Sequence, residues 1–207
     1  MIKRMFDLAG SSIALVLLSP ILALVSLLVR IKLGAPVLFK QQRPGRDGKP
    51  FTLLKFRTMT NERDHTGQLL PTEQRMTKAG RRLRESSLDE LPELINVMKG
   101  DMSLVGPRPL KMEYLPRYSP RQARRHEVRP GITGWAQVNG RNDLAWEDRF
   151  ELDVWYVDNH SISLDFRILA RTVWTALSAR GVHSDDGGII EPFRGAKPVD
   201  QRAPHDG

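Results

Sequence analysis

The chain has 207 residues, enough for one domain with a real core and an anchor segment. Its 32 Lys and Arg outweigh 24 Asp and Glu, and the net +8 suits a polyanionic partner: nucleic acid, anionic lipid or a phosphorylated substrate. It has no cysteine, which excludes disulfides, thiolate nucleophiles and Cys-ligated zinc, and its five His are too scattered to suggest a metal site.

Residues 13–29 (IALVLLSPILALVSLLV) carry no charge and lie between Lys3-Arg4 and Arg30, Lys32. As one straight helix this run would reach about 25 Å, slightly short of a hydrocarbon core of about 30 Å. A cleaved signal peptide is disfavoured, because the run meets Arg30-Ile31-Lys32 and not a small-residue cleavage site. A spanning helix and a hairpin that enters one leaflet and returns both fit. The hairpin accounts for Ser19-Pro20, whose proline cannot donate to the Val16 carbonyl, and for basic residues at both ends. On either reading residues 1–33 anchor the chain to a membrane.

Beyond the anchor the sequence reads as one polar body. Residues 34–36 form a turn and 37–39 a short strand. The turn-rich stretch 43–50 (RPGRDGKP) and the alternating 51–56 (FTLLKF) add a β-hairpin. Residues 61–74 read as loop, 72–85 as helix, and 88–98 as a second helix ended by Gly100. The stretch 106–109 (GPRP) is irregular, 117–129 is a basic helix candidate, and 129–141 (RPGITGWAQVNGR) is Gly-rich without periodicity. Helices follow over 147–157 and 163–179. In the last one Ile162, Phe166, Leu169, Val173 and Leu177 make an apolar stripe with Trp174 at its edge. Such a helix can lie in a membrane interface or form a dimer contact, and the composition favours packing on the core.

Ser87-Leu88-Asp89-Glu90 matches a helix capping box, with acids placed well for the helix dipole. The cations around it (Arg81, Arg82 and Arg84 upstream; Lys99, Arg108 and Lys111 downstream) suggest a second reading. In a basic site one carboxylate can attack phosphorus while the other holds Mg²⁺, a hard cation that prefers oxygen. Arg108, between two prolines, is a guanidinium with a restricted backbone, suited to gripping phosphate; Lys55 and Arg57 are further candidates or part of a solvated basic face. No P-loop or dinucleotide fingerprint occurs.

Taken together, Ser19-Pro20, QQRPGRDGKPF (41–51), KFRTM (55–59), SLDELPELINVMKGDMSLVGPRP (87–109), RPGITGWAQVNGR (129–141) and ELDVWYVDNHSISLDFRIL (151–169) resemble the bacterial sugar transferases. These are the monotopic phosphoglycosyl transferases, and the likeness is to small forms that use UDP-diacetylbacillosamine. The resemblance implies an α+β, mostly helical fold. It comprises a re-entrant membrane helix broken at Ser19 and Pro20 (1–33), a catalytic domain with a small β-hairpin and interfacial helices (34–182), and a polar tail (183–207). It implies that Asp89 attacks the β-phosphate of a UDP-sugar, forming a phosphosugar-aspartyl intermediate as UMP leaves. Glu90 ligands Mg²⁺, and polyprenyl (undecaprenyl) phosphate then takes the sugar phosphate. Lys55, Arg57, Arg108, Arg129 and Arg141 match motif positions and are candidate phosphate contacts. The setting implied is the cytoplasmic face of a bacterial inner membrane, in contact with its lipids. A membrane-tethered nucleic-acid-binding protein is disfavoured, because Trp135, Trp146, Trp155 and Tyr156 lie among Glu147, Asp148 and Asp153. An inactive membrane scaffold is the other alternative.

Overall fold

The computed structural model describes residues 1–140, 144–178 and 193–195. Helices α1 (Ile2–Leu17) and α2 (Ser19–Lys32) meet at 63°. Pro20 sets the bend, and the Ser19 hydroxyl donates to the freed Val16 carbonyl at 2.8 Å. No single described helix is long and apolar enough to cross a membrane; the bent pair reaches that length and composition only together. Val16, Leu17, Leu24 and Leu27 of the pair are exposed.

The expected hairpin forms from β1 (Leu38–Pro44) and β2 (Pro50–Phe56), with Leu38 opposite Phe56 and Pro44 opposite Pro50. The helix expected over 72–85 is split into α3 (Thr72–Arg75) and α4 (Lys78–Glu85), because Thr77 turns extended and its hydroxyl accepts from the Gly80 N–H. Likewise 88–98 is not continuous. A 3₁₀ turn (Leu88–Glu90) is followed by Pro92, which starts α5 (Glu93–Lys99), and left-handed Gly100 ends it. Beyond it, β3 (Ser103–Val105) pairs in parallel with β4 (Gly131–Thr133), a sheet the Gly-rich sequence did not signal. The basic helix expected over 117–129 shrinks to α6 (Pro120–Ala123) and a 3₁₀ turn (Arg124–His126), with Ser119 and Gln122 closing a capping box at its start. Helices α7 (Trp135–Gly140), α8 (Trp146–Asn159) and α9 (Ile162–Ser178) complete the described chain.

One core gathers Leu53 of β2, Val97 of α5, Val105 of β3, Tyr156 of α8 and Ile168 of α9. Each such side chain contributes about 1.5–3 kcal/mol by leaving water. A second cluster packs Val25 and Val29 of α2 on Phe56 and Leu83. Polar contacts then draw α1 into the first core. Asp7, 1% exposed, accepts from the Leu104 N–H at 3.0 Å and the Ser103 hydroxyl at 2.9 Å. Lys3 reaches Asp165 at 2.5 Å, and Arg4 donates to the carbonyls of Val97 and Met98 at the end of α5.

The α9 stripe packs on the core only in part, where Leu169 lies against it. Phe166 and Val173 are exposed, with Trp174 beside them, whereas Leu164, Asp165 and Ile168 are buried. Asp165 rotates the helix: its carboxylate accepts from Lys3 and, at 2.6 Å, from the Tyr156 hydroxyl, so that face turns inward. Of the tail expected to be polar and loosely held, only 193–195 is described. There Phe193 is buried among Tyr114, Tyr118, Trp146 and Phe150.

Candidate active site

Asp89 and Glu90 sit on the 3₁₀ turn after α4. The chain enters that turn through Ser87 at φ 56, a left-handed conformation costing of order 1–3 kcal/mol in a non-glycine residue. Ser87 makes no side-chain cap, so the capping box read from the sequence does not form. The Glu90 carboxylate faces cations instead. Lys55, projecting from β2, donates to it at 2.5 Å, and the Arg108 guanidinium, from the 106–109 turn, donates to both of its oxygens. Lys55 also pairs with Glu93, the first residue of α5, at 3.2 Å. Three carboxylates and two cations thus meet where the hairpin, the 3₁₀ turn, α5 and the proline-flanked turn converge.

Electrostatics gives these acids different charge states. Burial, then the adjacent Glu90 charge, raises Asp89 to about 6, against the pull of Lys55, Arg84 and Arg108. Near neutral pH Asp89 is therefore mostly a carboxylate, poorly hydrated and held beside cations rather than neutralised by a tight pair. Burial also acts on Glu90, but the charges of Arg108 and Lys55 outweigh it and hold its carboxyl well below the ordinary range. Burial pushes Glu93 up to about 7 against the Lys55 charge, with Glu90 adding to the rise. The Glu90 charge, in turn, holds Arg108 firmly protonated.

Arg108 is fixed from behind. The buried Arg125 donates to the Arg108 carbonyl at 2.8 Å and pairs with Asp153 of α8 at 2.7 Å. Arg84, in the last turn of α4, is anchored on the Thr58 hydroxyl at 3.0 Å. Of the other basic residues read from the motifs, Arg57 is turned away, capping the carbonyls of Leu33 and Ala35 where the anchor joins the domain. Arg129 donates to the Gly100 carbonyl at 2.8 Å, closing the end of α5. Arg141 lies outside the described residues. Glu93, Arg125 and Arg43 were not singled out in the sequence. Glu93 reads as an ordinary first-turn acid, and only its three-residue step from Glu90 places both on the Lys55 side.

Beside the pair opens a cleft of about 280 Å³, lined by Lys55, Glu93 and Arg108 and also by Tyr114 and Trp146. Among the described residues no three His, Cys, Asp or Glu groups stand ready to hold a metal alone. Mg²⁺ commonly takes only one or two carboxylates and completes its shell with substrate phosphates and water. The oxygen donors of Asp89 and Glu90 fit that pattern, provided an incoming phosphate draws Lys55 and Arg108 off Glu90.

A buried carboxylate set among cations lies next to a cleft, on a body that grips a bent apolar helix pair. The sequence profile of bacterial sugar transferases matches residues 1–179, spanning all of these parts, and the chain belongs to that family of enzymes. It is 58% identical over 198 residues to the uncharacterized sugar transferase EpsL of Bacillus subtilis, covering 96% of this chain and 98% of that one. The exopolysaccharide production protein ExoY of Rhizobium meliloti is 36% identical over 198 residues, covering 87% and 88%. The UDP-glucose:undecaprenyl-phosphate glucose-1-phosphate transferase of Escherichia coli is 41% identical over 187 residues, covering 84% of this chain and 40% of that one. With this and four other relatives, the match takes in only 36% to 42% of their length.

Proposed function

We propose that this protein transfers a sugar 1-phosphate from a UDP-sugar to undecaprenyl phosphate, releasing UMP. The observation that carries the reading is the buried Asp89 carboxylate, 7% exposed, beside a Glu90 held by Lys55 and Arg108. An oxygen of Asp89 attacks the β-phosphorus, and the bond from that phosphorus to the bridging oxygen breaks, so that UMP departs with the electron pair. The terminal phosphate oxygen of the carrier then attacks the same phosphorus, and the Asp89–phosphorus bond breaks to restore the carboxylate. Lys55 and Arg108 move their donors onto the phosphoryl oxygens, where charge builds, and Arg125 keeps Arg108 in place. Mg²⁺, held by Glu90, neutralises phosphate charge when bound.

The bent helix pair supports a re-entrant anchor in the cytoplasmic leaflet of a bacterial inner membrane. The exposed Phe166, Val173 and Trp174 of α9 suit the lipid interface, which would hold the site at the level of the carrier phosphate. Two donors are to be tried first: an N-acetylated amino sugar such as UDP-diacetylbacillosamine, and UDP-glucose, which appears in the names of relatives.

The test is UMP release by the full chain in detergent with Mg²⁺, undecaprenyl phosphate and a panel of UDP-sugars. Release with one donor, abolished in Asp89→Asn and Glu90→Gln, supports the reaction. With the carrier left out, mass spectrometry should find the sugar phosphate on the peptide that holds Asp89. Silence across the panel, with lipid and metal proven active, refutes the reading.

A further inference from the structure

The cleft carries more cations than the pair needs. Lys55 and Arg108 are already engaged with Glu90 and Glu93, yet Arg43 and Lys111 also line it. Arg43 comes from β1, in the QQRPG stretch, and is half-buried. One of its terminal nitrogens donates to the Gln41 side chain at 2.7 Å, but its Nε is buried and has no hydrogen-bond partner. Among the described residues it forms no ion pair. Buried unpaired donors are rare, and Arg43 is a cation of the cleft lining with no carboxylate of its own.

Its surroundings say what partner it suits. Burial and then the Arg108 charge hold the Arg43 guanidinium below its ordinary pKa, so two guanidinium groups face one space. An anion entering there relieves both. Tyr114 and Trp146, which also line the cleft, meet edge to face at 5.7 Å and give it an aromatic wall. The volume of about 280 Å³ lies at the lower end of small-molecule pockets, which run from about 300 to 1,000 Å³. It suits part of a sugar nucleotide better than the whole.

We infer that this cleft holds the nucleoside monophosphate half of the donor, with Arg43 gripping its α-phosphate and the base resting toward Tyr114 and Trp146. The inference rests on the transfer reaction proposed above and adds the direction of departure. Lys55 and Arg108 keep the β-phosphate at Asp89. When the bond from β-phosphorus to the bridging oxygen breaks, that oxygen leaves with the α-phosphate and carries the new negative charge. Arg43 meets this charge as it forms, and so acts on the leaving group rather than on the attack.

Binding of UMP, free of any turnover, is the test. Calorimetry on Asp89→Asn protein in detergent should detect UMP, and adding Arg43→Gln should weaken it by about tenfold to a hundredfold, the worth of a charge-assisted contact. Binding of uridine, which lacks the phosphate, should change little. Arg43→Lys should restore part of the loss, and Lys111→Gln, on a half-exposed side chain, gives a second variant in which misfolding is not a concern. In an active protein the inhibition constant of UMP should rise with Arg43→Gln while kcat/KM for undecaprenyl phosphate stays put. Unchanged UMP affinity in a folded Arg43→Gln variant, or no UMP binding by the parent protein, overturns the inference. Sugar transfer without Arg43-dependent UMP binding removes the subsite alone. UMP binding through Arg43 with no transfer from any donor removes the proposed reaction and leaves the subsite standing.

Discussion

Replacing Asp7 tests whether the bent helix pair and the rest of the chain form one folding unit. In α1, Asp7 Oδ1 accepts from the Leu104 N–H at 3.0 Å and the Ser103 hydroxyl at 2.9 Å, and the side chain is 1% exposed. Asp7→Ala strands both donors away from water, at about 1–3 kcal/mol each. The Ser103 hydroxyl can rotate toward another acceptor and recover part of its share, so the loss should total about 2–5 kcal/mol. For a chain of this size each kcal/mol moves Tm by about 2–4 °C, so a drop of roughly 5–15 °C is expected. Asp7→Asn keeps an oxygen at Oδ1 and should retain most of the stability. The assay is intrinsic-fluorescence melting of the full chain in one detergent, with the three proteins side by side. A Tm for Asp7→Ala within about 2 °C of the parent would refute the docking of α1. So would Asn and Ala costing the same.

The Asp89 carboxyl, followed by carbon NMR in metal-free protein, should titrate near 6. Because the Arg84 charge lowers that value, Arg84→Met should move the midpoint upward, and a midpoint near 4 in the parent would contradict the site's electrostatics. Lys55→Met should cut the rate of UMP release by roughly a hundredfold to a thousandfold, since it removes a donor to the developing phosphoryl charge; a change of a few-fold would place Lys55 outside the chemistry. Gly80→Ala would set a Cβ 1.7 Å from the Thr58 carbonyl oxygen. It should cost roughly 3 kcal/mol in chemical denaturation, and an unchanged midpoint would show that α4 does not press on the residues after β2.

The parts legible in the sequence are those with local signals. The turn-rich RPGRDGKP before the alternating 51–56 announces the hairpin, although its strands run further into that stretch than expected, and the long helical periods of α8 and α9 announce themselves. Ser19-Pro20 marks the bend, and even the hydroxyl's partner, Val16, follows from proline lacking an N–H. What was illegible depends on distant partners. The β3–β4 pair joins short segments, Ser103–Val105 and Gly131–Thr133, that have no strand character until they meet. Only part of the apolar stripe of α9 faces inward, because an aspartate, Asp165, turns inward for Lys3 and Tyr156. The site divides the same way. The density of cations around Asp89 and Glu90 was visible, and Lys55 and Arg108 do meet Glu90, whereas Arg57, in the same KFRTM motif, serves the backbone at Leu33 and Ala35.

The glycines behind Arg108 bear on how such an enzyme can change. A Cβ on Gly106 would lie 2.4 Å from the Arg129 carbonyl oxygen, and one on Gly131 would lie 2.1 Å from the Gly106 nitrogen. Main chain thus rests on main chain, with no side chain between to be exchanged for a larger or smaller one. That wall of the site is closed to gradual adjustment. The neighbouring cleft is instead lined by side chains, among them Arg43, Tyr114 and Trp146. Changes in what the cleft accepts must be written in those side chains, while the backbone contact behind Arg108 stays the same.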